Sequence, residues 1–234
     1  MTKIVGVLPF AYEPFYKECI ETIKSPLLDN IINVDNVHYT NKGVAESWNK
    51  GIDYMKSVNA DWLVLISAAV RFGEHGGLDI MGQLERHPLA DVVHFAEKQV
   101  EPQRFIRGKS LGYNEGNLQW HLTAINRRVI DTVGYFDPNF YPMYFEDLDY
   151  DIRINKAFVN PEWWILPIDV HRGELGHTIK YTDIKAPAEP LIAYFATKWG
   201  RHPNAAQLGE YNRPFNDNNS LAFWPPAQGR FWND

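Results

Sequence analysis

The first 70 residues alternate between short apolar runs and segments whose apolar residues recur with helical spacing. Residues 3–8 and 30–34 are short runs typical of strands, and DWLVLI at 61–66 is apolar enough for a strand buried on both faces. Between these runs, apolar side chains recur every three or four residues from Pro14 and again from Val44. The order strand, helix, strand, helix, strand predicts an α/β unit with a mostly parallel sheet.

The pattern is weaker after residue 72, but it still predicts further elements. Strands are expected at 91–95, 118–126 and 163–168, and helices at 78–84, 127–133, from Glu146 onward and at 190–199. A polar excursion at 97–117 and an aromatic loop at 134–142 interrupt them. We therefore expect one compact unit with two lobes, 1–110 and 111–205, followed by an irregular aromatic tail at 206–234.

Composition places the chain in the globular class, with 234 residues, 45% hydrophobic residues and a net charge of −6. No apolar run approaches the roughly 20 residues that span a bilayer, and the N-terminus lacks a secretory signal. The single Cys19 cannot form an internal disulfide. We expect a soluble, cytoplasmic protein without a membrane segment. The net negative charge argues against non-specific binding of polyanions.

Ligands of such sheets bind outside the carboxyl ends of the strands, which here are residues 9–12, Asp35 with its neighbour, and residues 67–71. Asp35 could accept hydrogen bonds from a nucleobase or ribose, or could simply form a turn. The LPFAYEP segment after the first strand contains no glycine-rich phosphate loop. Dinucleotide dehydrogenases and P-loop enzymes are therefore disfavoured.

An acidic cluster lies where the aromatic loop becomes a helix, in the sequence GYFDPNFYPMYFEDLDYDIRI from Gly134. Two interpretations are open for these carboxylates. Acids in a first helical turn complement the positive end of the helix dipole, and Asp149 can pair with Arg153 at i,i+4. Alternatively, the carboxylates face a pocket enclosed by the Tyr/Phe/Pro loop and act in catalysis.

Three segments together resemble the inverting family-2 glycosyltransferases. VDNVHYTNKGVAESWNKGI is similar to that family's strand-end Asp followed by N-x-G-x-x-x-x-x-N-x-G-I, with Asn41 and Asn49 as its asparagines. DWLVLISAAVRFG resembles the strand that ordinarily delivers metal-binding acids, and VGYFDPNFYPMYFEDLDYDIRI resembles V-G-G-F-D-x-x-F-x-x-Y-x-E-D-x-D-x-x-x-R. The resemblance implies a GT-A fold, with a Rossmann-like, mostly parallel central sheet flanked by helices.

The resemblance also implies transfer of a sugar from a nucleotide-diphosphate sugar to an acceptor hydroxyl, with inversion at the anomeric carbon. It places Asp147 as the base that removes the acceptor proton, with Glu146 as the alternative and Asp149 as support. The implied donor-binding residues are Pro9, Phe10, Ala11, Tyr12, Asp35, Asn41, Ser67, Ala68, Ala69 and Arg71. The implied acceptor-binding residues are Trp120, His121, Tyr141 and Tyr144, whereas Phe136 and Phe140 are expected in the core.

The sequence departs from the family where an Asp-x-Asp element usually holds Mg²⁺ or Mn²⁺ against the diphosphate. Ser67, Ala68 and Ala69 stand there, and none offers the carboxylate oxygens that hard cations prefer. One interpretation replaces the metal by cationic side chains, and another places a metal elsewhere, on Glu74, His75 or the C-terminal histidines. The cationic candidates are Arg71, Lys98, Arg104, Arg107 and Lys109, and by the resemblance His171 or His177 contacts the diphosphate.

Two other classes of function compete with the transferase. A catalytically silent sugar- or nucleotide-binding protein would explain the missing acids, although it would not explain the retained Glu146 and Asp147. A nucleotidyltransferase would need acids on the third strand for two-metal chemistry, and the sequence has none there. For a transferase, the acceptor is expected to be a soluble glycan, protein or modified nucleic acid.

Overall fold

A computed structural model describes residues 2–23, 27–105, 119–173, 182, 188–200 and 202–203. Arg107, Lys109, His177 and the tail at 206–234 lie outside these residues. The strands are β1 Ile4–Phe10, β2 Ile31–Asp35, β3 Trp62–Ile66, β4 Val70–Phe72, β5 Val92–Glu97, β6 Gln103–Phe105, β7 Leu122–Asn126, β8 Trp163–Ile168 and β9 Val170–Arg172. The helices are α1 Glu13–Thr22, α2 Gly43–Ser57, α3 Gly76–Arg86, α4 Arg127–Val133, α5 Glu146–Ala157 and α6 Ala188–Trp199.

Seven strands form the central sheet in the order β2-β1-β3-β7-β5-β8-β6. β1 pairs in parallel with β2 and β3, and β5 pairs in parallel with β8. β7 lies antiparallel between β3 and β5, and β6 runs antiparallel to β8 at the edge. Five of the seven strands therefore run in one direction, which confirms the predicted α/β class with a mostly parallel sheet.

The first part of the chain folds in the predicted order, because β1, α1, β2, α2 and β3 follow one another along it. The small antiparallel sheet of β4 and β9 was not expected, nor was β6 within the polar excursion. Both β4 and β9 have only three residues, too few to show the two-residue periodicity that identifies a strand in a sequence.

The core lies on both faces of the sheet, as the side-chain alternation of a buried strand requires. Along β3, Trp62, Val64 and Ile66 pack with residues of α1 and α3 on one face. Leu63 and Leu65 pack on the other face with residues of α2, α4 and α5. The sheet is thus covered by helices on both sides, and its carboxyl edge remains for a site.

Helix α6 packs against α5 through a small apolar cluster that includes Phe140, Ile152 and Phe195. Beside this cluster lies a buried ionic network. The ammonium of Lys198 lies 2.6 Å from an oxygen of Asp137 and 2.6 Å from an oxygen of Asp149, whose other oxygen accepts a 2.9 Å bond from Arg153. Tyr194 and Trp199 donate further hydrogen bonds to the two carboxylates. These bonds fix the acidic helix against the C-terminal helix.

None of the helices within the described ranges is long and apolar enough to cross a membrane.

Candidate active site

A cavity of about 490 Å³ opens at the carboxyl ends of β1 and β3. Its lining comes from residues 9–12 at the end of β1, from residues 67–69 after β3, and from the start of α2. The opposite side is formed by Trp120, His121 and the segment 142–148 that leads into α5. The cavity therefore lies where an open α/β sheet binds its ligands.

Two segments that the sequence assigns to donor binding lie at the cavity. Pro9, Phe10, Ala11 and Tyr12 all line the cavity, as do the three residues that follow β3. The ring of Phe10 stacks on Tyr16 at 4.1 Å, and Tyr12 meets Phe15 edge to face. Packing of this kind holds the aromatic surface in one orientation.

Arg71 does not line the cavity, contrary to the donor-binding role predicted for it. Its guanidinium is buried, donates to the carbonyl oxygens of Ala68 at 2.7 Å and Val70 at 3.0 Å, and pairs with Glu18. These acceptors hold the guanidinium, and the side chain does not reach the cavity lining. Arg71 thus supports the backbone at the end of β3.

Asp35 also lies outside the lining, and its neighbour Asn36 takes that place. The carboxylate of Asp35 accepts the backbone N–H groups of Val37 at 2.8 Å and His38 at 3.0 Å, and contacts His38 Nδ1 at 2.8 Å. Burial opposes ionisation, but these hydrogen bonds outweigh it and lower the pKa of Asp35. The turn-forming interpretation therefore describes the contacts of Asp35.

Two asparagines connect the donor side to the acidic segment. Asn41 lines the cavity and accepts the N–H of Gly43 at 2.8 Å. Asn49 donates to the carbonyl of Phe136 at 2.9 Å and accepts its N–H at 2.8 Å. Gly43 has φ of +77°, and a Cβ there would lie 2.9 Å from the carbonyl oxygen of Pro142. Only glycine fits this approach between α2 and the acidic segment without strain.

Of the predicted acceptor-binding residues, Trp120, His121 and Tyr144 line the cavity. Tyr141 is not among the lining residues; its ring packs beside Gly43. Phe136 and Phe140 are fully buried, as expected for core residues. Aromatic side chains therefore line both sides of the cavity. Among them, Tyr144 is exposed to solvent at the edge of the cavity.

Glu146 and Asp147 are the first two residues of α5, and both line the cavity. The two residues before them, Tyr144 and Phe145, have left-handed φ angles of 86° and 70°. Such angles are costly for large side chains and cluster at functional sites. Glu146 is only 6% exposed, and its Oε2 has no hydrogen-bond partner among the described residues. Asp147 Oδ1 accepts the N–H of Leu148 at 2.7 Å.

The two interpretations of the acidic cluster apply to different residues. Asp149 is buried in the ionic network with Arg153 and Lys198, so it supports the helix. Glu146 and Asp147 are directed to the cavity instead, and the residue at the helix cap, Phe145, contributes no side-chain hydrogen bond.

Burial raises the pKa of both cavity carboxyls. For Glu146 the negative charge of Asp147 adds to burial, and the pKa lies well above its usual range. For Asp147, burial outweighs the backbone N–H groups that favour its ionised form. Asp151, one turn further along α5, also has a pKa raised by burial and by Asp147, although Trp120 Nε1 donates to it at 3.4 Å. Such raised values suit groups that exchange protons near neutral pH.

A divalent metal does not fit the residues that the structure describes. Ser67, Ala68 and Ala69 carry no carboxylate, and within the described ranges no group of three His, Cys, Asp or Glu side chains could hold an ion. Glu74 and His75 are not among the cavity-lining residues either. The described residues around the cavity therefore do not form a divalent-metal site.

The predicted diphosphate-binding cations are distributed differently from expectation. Arg104 pairs with Glu162, which precedes β8 and so lies at the amino ends of the parallel strands, opposite the cavity. His171 is exposed on β9, and neither it nor Lys98 lines the cavity. The structure thus does not bring Arg104, His171 or Lys98 to the cavity lining, and their contact with a diphosphate stays a prediction.

Sequence reasoning missed Arg172, which lies on β9 opposite Val70. The next residue, Gly173, donates its N–H to the carbonyl of Ala69 at 2.9 Å, so β9 reaches the end of β3. Burial, together with the positive charge of Arg172, lowers the pKa of His121 to about 4. Arg172 is thus a positive charge close to a cavity-lining histidine. The signal that could have found it is the contact between β9 and β4, which no local pattern reveals.

No protein-family model matches the sequence, and no curated protein is significantly similar to it. Among solved structures, S. aureus TarS aligns with a TM-score of 0.51 at 9% identity, covering 86% of this chain and 40% of TarS. This chain has a GT-A fold, which it shares with TarS. A shorter TarS structure, residues 1–349, aligns at a TM-score of 0.46 and 11% identity, over 70% of this chain and 58% of that one.

Two further solved structures are similar to this chain. A197 from STIV aligns with a TM-score of 0.44 at 12% identity, over 71% of this chain and 82% of A197. GalNAc-T7, crystallised with UDP, GalNAc and Mn²⁺, aligns with a TM-score of 0.49 at 11% identity, over 74% of this chain and 45% of that one. At these identities the likeness concerns the fold alone.

Proposed function

We propose that this protein is an inverting glycosyltransferase of the family-2 type, which moves a sugar from a nucleotide-diphosphate sugar to an acceptor hydroxyl. The observation that carries the proposal is the position of Asp147. Its carboxyl lines the cavity, opposite the strand ends of β1 and β3, in a chain with the GT-A fold. A donor on the strand ends would present its sugar toward this carboxyl.

The chemistry follows from that arrangement. The acceptor oxygen attacks the anomeric carbon while its proton passes to Asp147, and the bond to the diphosphate breaks with its electron pair leaving on the nucleoside diphosphate. The raised pKa of Asp147 makes it a stronger base than an ordinary aspartate once ionised. Attack on the face opposite the leaving group inverts the anomeric centre.

The departing diphosphate needs charge stabilisation. In this protein we assign that role to Arg172 and to the neutral imidazole of His121. Arg172 supplies a charge felt at His121, and the imidazole of His121 lines the cavity and can donate a hydrogen bond. This replaces the metal that the fold often uses and agrees with the absence of carboxylates at residues 67–69.

The binding half of the proposal is tested by thermal unfolding with UDP, GDP and dTDP sugars, each with Mn²⁺ or with EDTA. A ligand at 100 times its Kd stabilises the native state by about 2.7 kcal/mol. For a chain of this size that corresponds to a rise of roughly 5–10 °C. We expect one donor class to give this shift in EDTA as well as in Mn²⁺. No shift with any nucleotide or nucleotide sugar would refute donor binding.

The catalytic half is tested by Asp147→Asn, which keeps the shape of the side chain but cannot accept the proton. Transfer should fall at least 100-fold. The donor Kd obtained from the thermal shift should stay within 2-fold of the wild-type value. Glu189→Gln, at an exposed acid in the first turn of α6, is the matched control and should retain activity. Full transfer by Asp147→Asn would place the base elsewhere.

A second function is a binding protein without turnover, and the sequence Ser67, Ala68, Ala69 favours it because no acid remains there. It predicts the same donor-induced thermal shift but no release of nucleoside diphosphate with any acceptor. Measuring nucleoside diphosphate release, including slow hydrolysis of the donor without acceptor, separates the two. A glycan, a protein and a modified nucleic acid are the acceptor classes to supply.

A further inference from the structure

The acids around the start of α5 outnumber the cations that neutralise them. Lys198 and Arg153 pair with Asp137 and Asp149 inside the helix packing. Glu146, Asp147 and Asp151 have no ion-pair partner among the residues that the structure describes. Three carboxyls beside the cavity are therefore left without a protein cation.

Glu146 supplies the independent sign of a missing partner. It is 6% exposed and lines the cavity, and its Oε2 has no hydrogen-bond partner within the described chain. Buried polar atoms nearly always have one. The positive end of the α5 dipole favours an acid at this position, but the dipole donates no hydrogen bond to Oε2.

The surroundings of Glu146 favour a cation over an anion. No Lys or Arg occurs among the described residues that line the cavity, and its acidic side is aromatic, with Trp120, Tyr144 and Phe145. Aromatic faces attract ammonium groups. The charged side chains among the described lining residues are thus two acids, Glu146 and Asp147, both at the start of α5.

We propose that the acceptor carries an ammonium group next to the hydroxyl that is attacked, as in an amino sugar or another amino alcohol. Its ammonium donates hydrogen bonds to Glu146 while its hydroxyl approaches Asp147. Glu146 and Asp147 are consecutive residues lining one cavity, so they can contact two neighbouring groups of one small molecule. This assignment rests on the proposed function, because it names the acceptor of the same site.

An acidic acceptor would place its charge against Glu146 and Asp147, which line the cavity without a cation among the described residues. A basic acceptor would instead supply the hydrogen-bond donor that Glu146 Oε2 lacks.

The experiment compares three probes that differ in one substituent: glucosamine, N-acetylglucosamine and glucose. Their binding is measured by NMR titration or calorimetry without any donor, near pH 7, where a sugar or α-amine remains largely protonated. We expect glucosamine to bind wild-type protein at least 10-fold more tightly than the two neutral sugars. Glu146→Gln should reduce this preference to less than 3-fold, whereas Glu85→Gln, at an exposed acid on α3, should leave it unchanged.

Equal binding of the three sugars by wild-type protein, or tighter binding of a neutral sugar, would overturn the proposal. So would a Glu146→Gln variant that is folded by circular dichroism and keeps the 10-fold preference. If Glu146→Gln does not fold, Glu146→Asp keeps the charge and should keep a preference of at least 3-fold; its loss would contradict the assignment. Because these measurements need neither donor nor turnover, their failure is distinguishable from failure of the transferase proposal.

Discussion

Replacing Lys198 by methionine tests the ionic network that holds α5 in place. Methionine keeps the length and apolar stem of lysine but removes the ammonium, which lies 2.6 Å from an oxygen of Asp137 and 2.6 Å from an oxygen of Asp149. All three side chains are buried. Asp149 retains Arg153, so Asp137 is the carboxylate that loses its cation.

The cost of the change follows from this imbalance. Breaking a buried ion pair by removing one partner typically costs about 3–5 kcal/mol, because the remaining charge is left unpaired in a poorly solvated place. Tyr194 and Asn139 still bond Asp137, so we expect the lower half of this range, about 3–4 kcal/mol. For a chain of this size that lowers Tm by roughly 6–16 °C.

Urea unfolding monitored by circular dichroism gives the free energy of unfolding of each variant. Lys17→Met is the matched control, because Lys17 pairs with Glu13 on an exposed helix surface, where such pairs contribute about 0–1 kcal/mol. Adding Asp137→Asn to Lys198→Met should restore part of the loss by removing the unpaired charge. A loss below about 1 kcal/mol for Lys198→Met, or no restoration by Asp137→Asn, would refute the reasoning.

The same network predicts how the loss depends on pH. Burial raises the pKa of Asp137, but the charge and hydrogen bond of Lys198 outweigh it, so the net pKa is lowered. A lowered carboxyl pKa contributes stability above its unfolded value of about 3.9, and that contribution disappears as pH falls. The difference between wild type and Lys198→Met should therefore narrow below about pH 4.

Three further predictions concern residues of the cavity and its surroundings. Because the pKa of Glu146 is raised, ionisation of Glu146 lowers the free energy of unfolding as pH rises above about 4.3. In urea titrations, Glu146→Gln should therefore be more stable than wild type by about 0.5–2 kcal/mol at pH 8 and equally stable at pH 4. Gly43→Ala should cost about 2–4 kcal/mol in the same assay, from its left-handed φ and the close oxygen of Pro142. Gly82→Ala on α3 should be neutral or stabilising, because its Cβ would make only ordinary van der Waals contact with the flexible end of Arg86. His171→Ala should leave the donor Kd within 2-fold of wild type, since this side chain is exposed outside the cavity; a 10-fold loss of donor affinity would return it to the site.

The sequence predicted the fold well where each element is long enough to show its own periodicity. The helix from Arg127–Val133 and the strand Trp163–Ile168 were predicted with the bounds they have. What the pattern could not show is the pairing between distant segments. β7 runs antiparallel to both of its neighbours, β3 and β5. The direction of a strand depends on how the chain returns to the sheet, and the local sequence pattern of the strand does not contain that information.

The parts of the site that lie at strand ends and at helix starts could be predicted from the sequence. Residues 9–12, residues 67–69 and the pair Glu146 and Asp147 do come together around one cavity. The sequence could not show that Arg71 lies outside the cavity lining, because a position after β3 does not determine where the side chain turns. The carbonyl of Ala68 and the carboxylate of Glu18 determine it. Arg172 could not be found because its nearness to His121 depends on β9 reaching β4 across about 100 residues of chain.

The distance along the chain between Asp149 and its partner on α6 has a consequence during synthesis. Lys198 is 49 residues beyond Asp149, so at 5–20 residues per second the ribosome adds it about 2–10 s later. Throughout that interval the nascent acidic helix has Arg153 but not Lys198 to balance it. A nascent chain would thus complete the ionic network that holds the acidic helix only after Lys198 has been synthesised, and a ribosome stalled before α6 would carry a chain whose Asp137 lacks its cation.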